Sequence, residues 1–186
     1  TQERSRYNLD GTLREHTDKN GITTKTEYDY QKRPTRKSVY SAHGEFLFET
    51  TTVYNPYNIL SETDAAGNVT SYEYDGAGRL IRKCKGTLET RFEYDSMGRV
   101  HREVNLLENG DAVATTKLYD LLDRVTEEKV ENGYGELQSL TQTTYDCAGN
   151  KIAIVTQGQA GSSLLLQDFN AHGEVTKSTD AEGRVT

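Results

Sequence analysis

The chain has 186 residues, of which 33% are hydrophobic and 27% charged, with a net charge of -7 and a mean hydropathy of -0.80, a balance that gives little material for a compact core. Its 29 acidic and 22 basic residues are interspersed without runs, which excludes a basic stripe for nucleic acid and a polybasic patch for an anionic membrane. Twelve Tyr and 16 Gly against two Pro and no Trp favour many short strands with tight turns over helices, and evenly spaced aromatics argue against disorder.

Taken in order, an aromatic residue followed by Asp or Asn recurs at Tyr7-Asn8, Tyr28-Asp29, Tyr54-Asn55, Tyr74-Asp75, Tyr94-Asp95, Tyr119-Asp120, Tyr145-Asp146 and Phe169-Asn170, spaced by 21, 26, 20, 20, 25, 26 and 24 residues. Such a period marks a tandem array, expected to fill 1–186 with about eight units. Both ends fall inside the pattern, so the chain is expected to be a fragment of a longer protein. Three residues after each Asx stand Gly11, Lys32, Asn58, Gly78, Gly98, Asp123, Gly149 and Gly173. Seven of these eight tolerate positive φ, which predicts a left-handed residue in a strand-turn-strand reversal with the Asx side chain capping main-chain amides.

Between the turns, polarity alternates. Leu88, Thr90, Phe92 and Tyr94 share one parity and Glu89, Arg91 and Glu93 the other, while Phe46, Phe48, Thr50, Thr52 and Tyr54 form a similar series. After the turns, Leu80, Arg82 and Cys84 are assigned one face and Arg79, Ile81 and Lys83 the other, so Arg82, Arg102, Glu127 and Lys177 interrupt the apolar face. A second reversal divides each unit, as at Thr17 to Thr23, Thr63 to Thr70 and Thr179 to Thr186. In longer units it is expected to swell into loops at Leu106 to Ala112, Glu131 to Gly135 and Gln157 to Ser162. The result is an all-β meander of about sixteen antiparallel strands, roughly 75 Å across if flat, which must curl, stack or close. The tyrosines are expected to stack as an aromatic ladder, so that Tyr74→Ala or Tyr94→Ala, if those rings are buried, costs about 3–5 kcal/mol.

Chemistry finds little footing. His16, His43, His101 and His172 stand at least 27 residues apart, without neighbours at ligand spacing. Asp64 with Asn68, or Asp18 with Asn20, offers oxygens but no calcium-loop pattern. Ser162-Ser163 lacks a nucleophile elbow, and spacing selects no carboxylate pair from 29 acidic residues. Cys84 and Cys147 form no CxxC and are expected to be partly buried free thiols. Leu164-Leu165-Leu166, the longest candidate apolar run, is far short of the roughly 18–20 residues of a membrane-spanning helix. The reading is a non-enzymatic chain with no cofactor and no metal.

The stretch Tyr74-Asp75-Gly76-Ala77-Gly78-Arg79-Leu80 returns as Tyr94-Asp95-Ser96-Met97-Gly98-Arg99-Val100, with Thr63-Asp64-Ala65-Ala66-Gly67-Asn68-Val69-Thr70 and Tyr72-Glu73-Tyr74-Asp75 before it. This resembles the YD repeat of the Rhs family, found in bacterial polymorphic toxins, Tc toxin C components and teneurins. The likeness covers essentially the whole chain and is weakest at Tyr28 to Tyr54, where Lys32, Arg33 and Pro34 replace Gly-Arg-Leu. It rests on Tyr7, Tyr28, Tyr54, Tyr74, Asp75, Gly78, Arg79, Tyr94, Asp95, Gly98, Arg99, Tyr119, Asp120, Arg124, Tyr145, Asp146 and Gly149, as structural repeat residues.

The resemblance implies a ribbon of hairpins wound into part of a hollow shell around a C-terminal toxin, in a secreted or cell-surface protein. Its partners would be the rest of its shell and the enclosed toxin. The family's Asp-Pro-containing cleavage motif has no counterpart, since Pro34 and Pro56 follow Arg33 and Asn55. The competing expectation is a recognition module whose tyrosines and loops bind a glycan or a cell-surface protein. Two open sheet edges also predict self-association.

Overall fold

A computed structural model describes residues 2–159 and 161–186. Among them the regular elements are sixteen β-strands, antiparallel in each pairing described below, and the chain divides into two compact units, Thr1–Glu89 and Thr90–Thr186. The first contains β1 (Arg4–Tyr7), β2 (Leu13–Thr17), β3 (Thr23–Tyr28), β4 (Pro34–Tyr40), β5 (Phe46–Tyr54), β6 (Ile59–Thr63), β7 (Val69–Tyr74) and β8 (Leu80–Lys85). β9 (Leu88–Tyr94) has residues in each. The second contains β10 (Val100–Leu106), β11 (Ala112–Tyr119), β12 (Val125–Asn132), β13 (Leu137–Tyr145), β14 (Lys151–Gly158), β15 (Gly161–Phe169) and β16 (Val175–Asp180). Within each unit the order of strands in the sheet is their order in the chain, and among the described residues strands contact only their sequence neighbours.

The same reversal is used at both ends of the strands. Asp75 N–H donates to the Arg79 carbonyl at 2.9 Å and Gly78 N–H to the Asp75 carbonyl at 3.0 Å; Asp18 with Ile22 and Gly21 repeats this geometry at the other strand end. The expected left-handed residue is present at Gly11, Gly78, Gly98, Gly149 and Gly173, and also at Lys32 (φ 62) and Asp123 (φ 63). Asn58 departs from the expectation. Its reversal closes one residue earlier, with Asn55 N–H donating to the Asn58 carbonyl at 2.9 Å, and Asn58 keeps a negative φ.

The swollen loops are a correction. Leu107 to Asp111 and Asn132 to Glu136 close as the same tight turn. The extra length enters the strands, which run to eight or nine residues from β11 to β15 but only five in β2 and β6. Of the third expected loop, Ala160 lies outside the described residues.

The face assignment after each turn is corrected as well. Tyr74 pairs with Leu80, but Glu73 pairs with Arg82, because one residue bulges between them. Similar shifts occur at Tyr28, Tyr54, Tyr119, Tyr145 and Phe169. Directly paired residues share a face in an antiparallel sheet, so Arg82 leaves the side of Tyr74 and Leu80. Glu127 and Lys177 likewise pair with Leu118 and Asp168 rather than sharing the side of Tyr119 and Phe169. Freed onto that other face, Arg82 bridges Glu73 at 2.7 Å and Glu89 at 2.8 Å.

No dry core forms in either unit. Ala114 and Ser38 are the buried residues among those described, and most strand positions are half-buried. Cys84 is half-buried, whereas Cys147 sits exposed in a turn, against the expectation of two covered thiols.

Candidate functional site

The motif residues converge at one end of the strands, where the odd-numbered strands run into their turns. Asp75 is the first turn residue: its Oδ1 accepts the N–H groups of Ala77 and Arg79, both at 2.9 Å, and its Oδ2 accepts Arg79 Nε at 2.7 Å. Asp95 with Arg99 and Asp120 with Arg124 repeat the pattern, with Nε to Oδ2 distances of 2.7 and 2.6 Å. These amide and guanidinium contacts hold the Asp75 and Asp95 carboxyls below their ordinary value of 3.8, the Arg79 and Arg99 backbone N–H bonds being the largest influence. Asp146 caps its own turn through Asn150, at 2.8 Å from both backbone and side chain.

Each of three arginines also reaches forward into the next repeat. Arg33 Nη1 donates to the Asn55 carbonyl at 2.9 Å, Arg99 Nη1 to that of Asp120 at 2.9 Å, and Arg124 Nη1 to that of Asp146 at 3.2 Å. Their guanidinium groups lie 4.2, 4.6 and 4.5 Å from the ring centres of Tyr54, Tyr119 and Tyr145. A planar, weakly hydrated cation suits that stacking. The tyrosines reach back. The hydroxyls of Tyr28, Tyr54, Tyr119 and Tyr145 donate to the carbonyls of Leu13, Pro34, Val100 and Val125 at 2.9, 3.1, 2.7 and 2.9 Å. The arrangement is a set of rungs, each tying one turn to the next.

The expected tyrosine stack is thereby replaced, at Tyr54, Tyr119 and Tyr145, by tyrosine beneath arginine. Gly78, Gly98 and Gly149 supply the left-handed corner at φ 80, 84 and 96. Tyr7, on the outermost strand of its unit, is 63% exposed. Asp29 and Arg33, not counted among the structural repeat residues above, form a full rung, with Arg33 Nη2 2.7 Å from Asp29 Oδ2. The Asp-x-x-x-Arg spacing was the available signal, hidden by the departure from Gly-Arg-Leu. Elsewhere Thr12 and Asn150 stand where a rung would need arginine, and the shorter Asn55 turn has no residue at that place.

Beside the rungs, Tyr72 donates its hydroxyl to Glu62 Oε2 at 2.9 Å, and burial together with that bond and the Glu62 charge pushes its phenol up to about 12. Among the described residues no group of three or more His, Cys, Asp or Glu could hold a metal ion, and no helix is long and apolar enough to cross a membrane.

These features define a tandem hairpin repeat cross-tied by tyrosine and arginine. Residues 54–83, in the C-terminal half of the first unit, match the RHS Repeat family model. The fold is that of chains in Tc toxin structures. The crystal structure of TcdB2-TccC3-Cdc42 is similar at a TM-score of 0.72 and 19% identity, over 95% of this chain and 10% of that one. The crystal structures of TcdB2-TccC3-TEV and of TcdB2-TccC3 without its hypervariable C-terminal region each match at a TM-score of 0.51 and 16% identity, over 96% of this chain and 12% of theirs. The chain thus spans about a tenth of the length of the structures it resembles. No curated protein matches it.

Proposed function

We propose that residues 1–186 are a non-catalytic array of about eight YD repeats forming part of a β-shell that encloses a toxin segment, in a secreted or cell-surface toxin-type protein. The observation that carries this is the fold likeness to the TcdB2-TccC3-Cdc42 chain over 95% of the sequence. The rungs support it, since residues that fasten one hairpin to the next serve a wall. The faces support it too: half-buried threonines, tyrosines and charged residues interrupt the apolar positions, so a partly unfolded cargo would meet a mixed surface.

The test is to express the parent reading frame and digest it with protease. The segment following the repeats should survive only when the repeats accompany it, and equal digestion with and without them rejects the container. A recognition module is the second reading, favoured by Tyr30, Tyr57 and Tyr134, which stand 83, 89 and 85% exposed in turns. Glycan binding lost on replacing all three by Ala would establish that reading instead.

A further inference from the structure

We propose that the junction between Tyr54 and Tyr74 is a binding site for the guanidinium of an arginine carried by a second polypeptide. The other junctions supply the template. At Arg33, Arg99 and Arg124 a guanidinium lies over the next motif tyrosine and donates to the next Asx carbonyl. The reversal Asn55 to Asn58 is one residue shorter, and the arginine is what it lacks: Ile59 already pairs with Tyr54, as Leu80 pairs with Tyr74.

The consequence falls on Tyr74. Among the described residues no cation lies over its ring and its hydroxyl makes no hydrogen bond, whereas Tyr28, Tyr54, Tyr119 and Tyr145 each donate to a carbonyl. Two other junctions also lack arginine but are filled or altered differently. After Thr12, Lys32 Nζ reaches back to the Asp10 carbonyl at 2.8 Å; after Asn150, the next ring is Phe169, which carries no hydroxyl.

At Tyr74 the Asn58 amide takes only part of the guanidinium's place, its Nδ2 3.8 Å from a Cβ built on Gly78 as Arg124 Nη1 is at Gly149, and beside it lies an open groove of about 830 Å³, bordered by Asn55, Tyr57, Asn58, Tyr72, Tyr74 and Asp75. Of the carboxylates on its border, Glu73 is paired with Arg82 and Asp75 with Arg79. Glu62, outside the border, holds the Tyr72 hydroxyl, and its field, after burial, is the second influence raising the Tyr74 phenol above its ordinary value. An incoming arginine meets a tyrosine ring and an Asx carbonyl, as Arg33, Arg99 and Arg124 do within the chain. The ring of Tyr57, 89% exposed, flanks them. A lysine ammonium is compact and strongly hydrated and offers no plane to lay on the ring, and a neutral sugar gains nothing from the charge.

The 186-residue chain is titrated with N-acetyl-arginine amide while tyrosine ring resonances are followed. N-acetyl-citrulline amide, a neutral isostere, N-acetyl-lysine amide and methyl glucoside serve as comparisons. Saturable shifts confined to Tyr57, Tyr72 and Tyr74 are expected, with citrulline binding about tenfold weaker. Inserting one Arg between Asn58 and Ile59 restores the longer turn and should fill the site from within, abolishing the shifts. Because an insertion can disturb folding, its circular dichroism is compared with the parent, and Tyr57→Ala, at an exposed position, provides a second variant expected to weaken binding about threefold. Absent saturation, an equal response to citrulline or glucoside, or a folded insertion variant that still binds overturns the proposal.

Discussion

At the scale of single residues, the motif aspartates act as acceptors for two backbone amides and, where arginine follows, a guanidinium. The guanidinium ion pairs need the ionised carboxylate, and the amide bonds are stronger with it. Asp75 and Asp95 have folded values below 3.8, and Asp64, held mainly by Asn68, lies at about 2. A group whose folded value is depressed stabilises the native state fully above its unfolded value and loses that effect as pH falls through the folded one. Melting temperature should therefore be level from pH 7 to about 5 and drop between about pH 4 and about pH 2. Asp75→Asn keeps a capping oxygen, as Asn55 and Asn170 do at equivalent places, but loses the charge. It should melt lower than the parent at pH 7 and converge with it near pH 2; a constant gap across that range contradicts the account. Tyr119 gives a neutral counterpart. Its 2.7 Å bond to the Val100 carbonyl is lost in Tyr119→Phe while the ring beneath Arg99 stays, so denaturant unfolding should show a loss of about 1 kcal/mol.

At the scale of elements, the turn decides the strand, and backbone conformation decides the turn. Lys32 holds φ 62 with a full side chain, so Lys32→Gly should stabilise by about 0.5–1 kcal/mol despite losing the contact to Asp10. In contrast, Gly78→Ala should destabilise by about 1 kcal/mol through φ alone, since an added Cβ would meet nothing nearer than Asn58 Nδ2 at 3.8 Å. Equal and opposite melting shifts in the two variants would show that conformation rather than packing is at work. These local rules are why the strand count and most reversals were legible in the sequence: an Asx, a left-handed residue and period-two polarity all act within a few positions. The register shift beside each motif aromatic was not legible, because a bulge is defined by the partner strand. Arg82 was accordingly placed on the tyrosine side, when pairing with Glu73 puts it on the other. Arg33 was passed over because Lys32 and Pro34 spoiled the familiar spelling, although the rung needs only the arginine and its aspartate. The stacking of arginine on tyrosine spans some 20 residues of sequence and becomes visible only once consecutive turns are side by side.

At the scale of the molecule, each unit is stabilised by contacts between successive strands, with no dry centre to which distant strands contribute. Such an array loses stability locally, from whichever strand lacks a neighbour. In the first unit that strand is β1, all four residues exposed, and its edge carries Arg4 and Arg6, charges that oppose pairing with another chain. In the second unit β16 is partly covered: Ser178 N–H donates to the Thr186 carbonyl at 2.8 Å and Thr186 N–H returns the bond at 2.9 Å. We propose that self-association, if driven by these edges, runs through β16 more readily than through β1. Removing Val185 and Thr186 frees the Ser178 amide and carbonyl, so light scattering across a concentration series should show a steeper rise in mass than for the parent chain. Arg4→Val with Arg6→Val should produce a smaller rise, because removing charge makes β1 less repellent but opens no new backbone groups. A mass that stays monomeric in all three chains would show that neither edge strand drives self-association of the 186-residue chain.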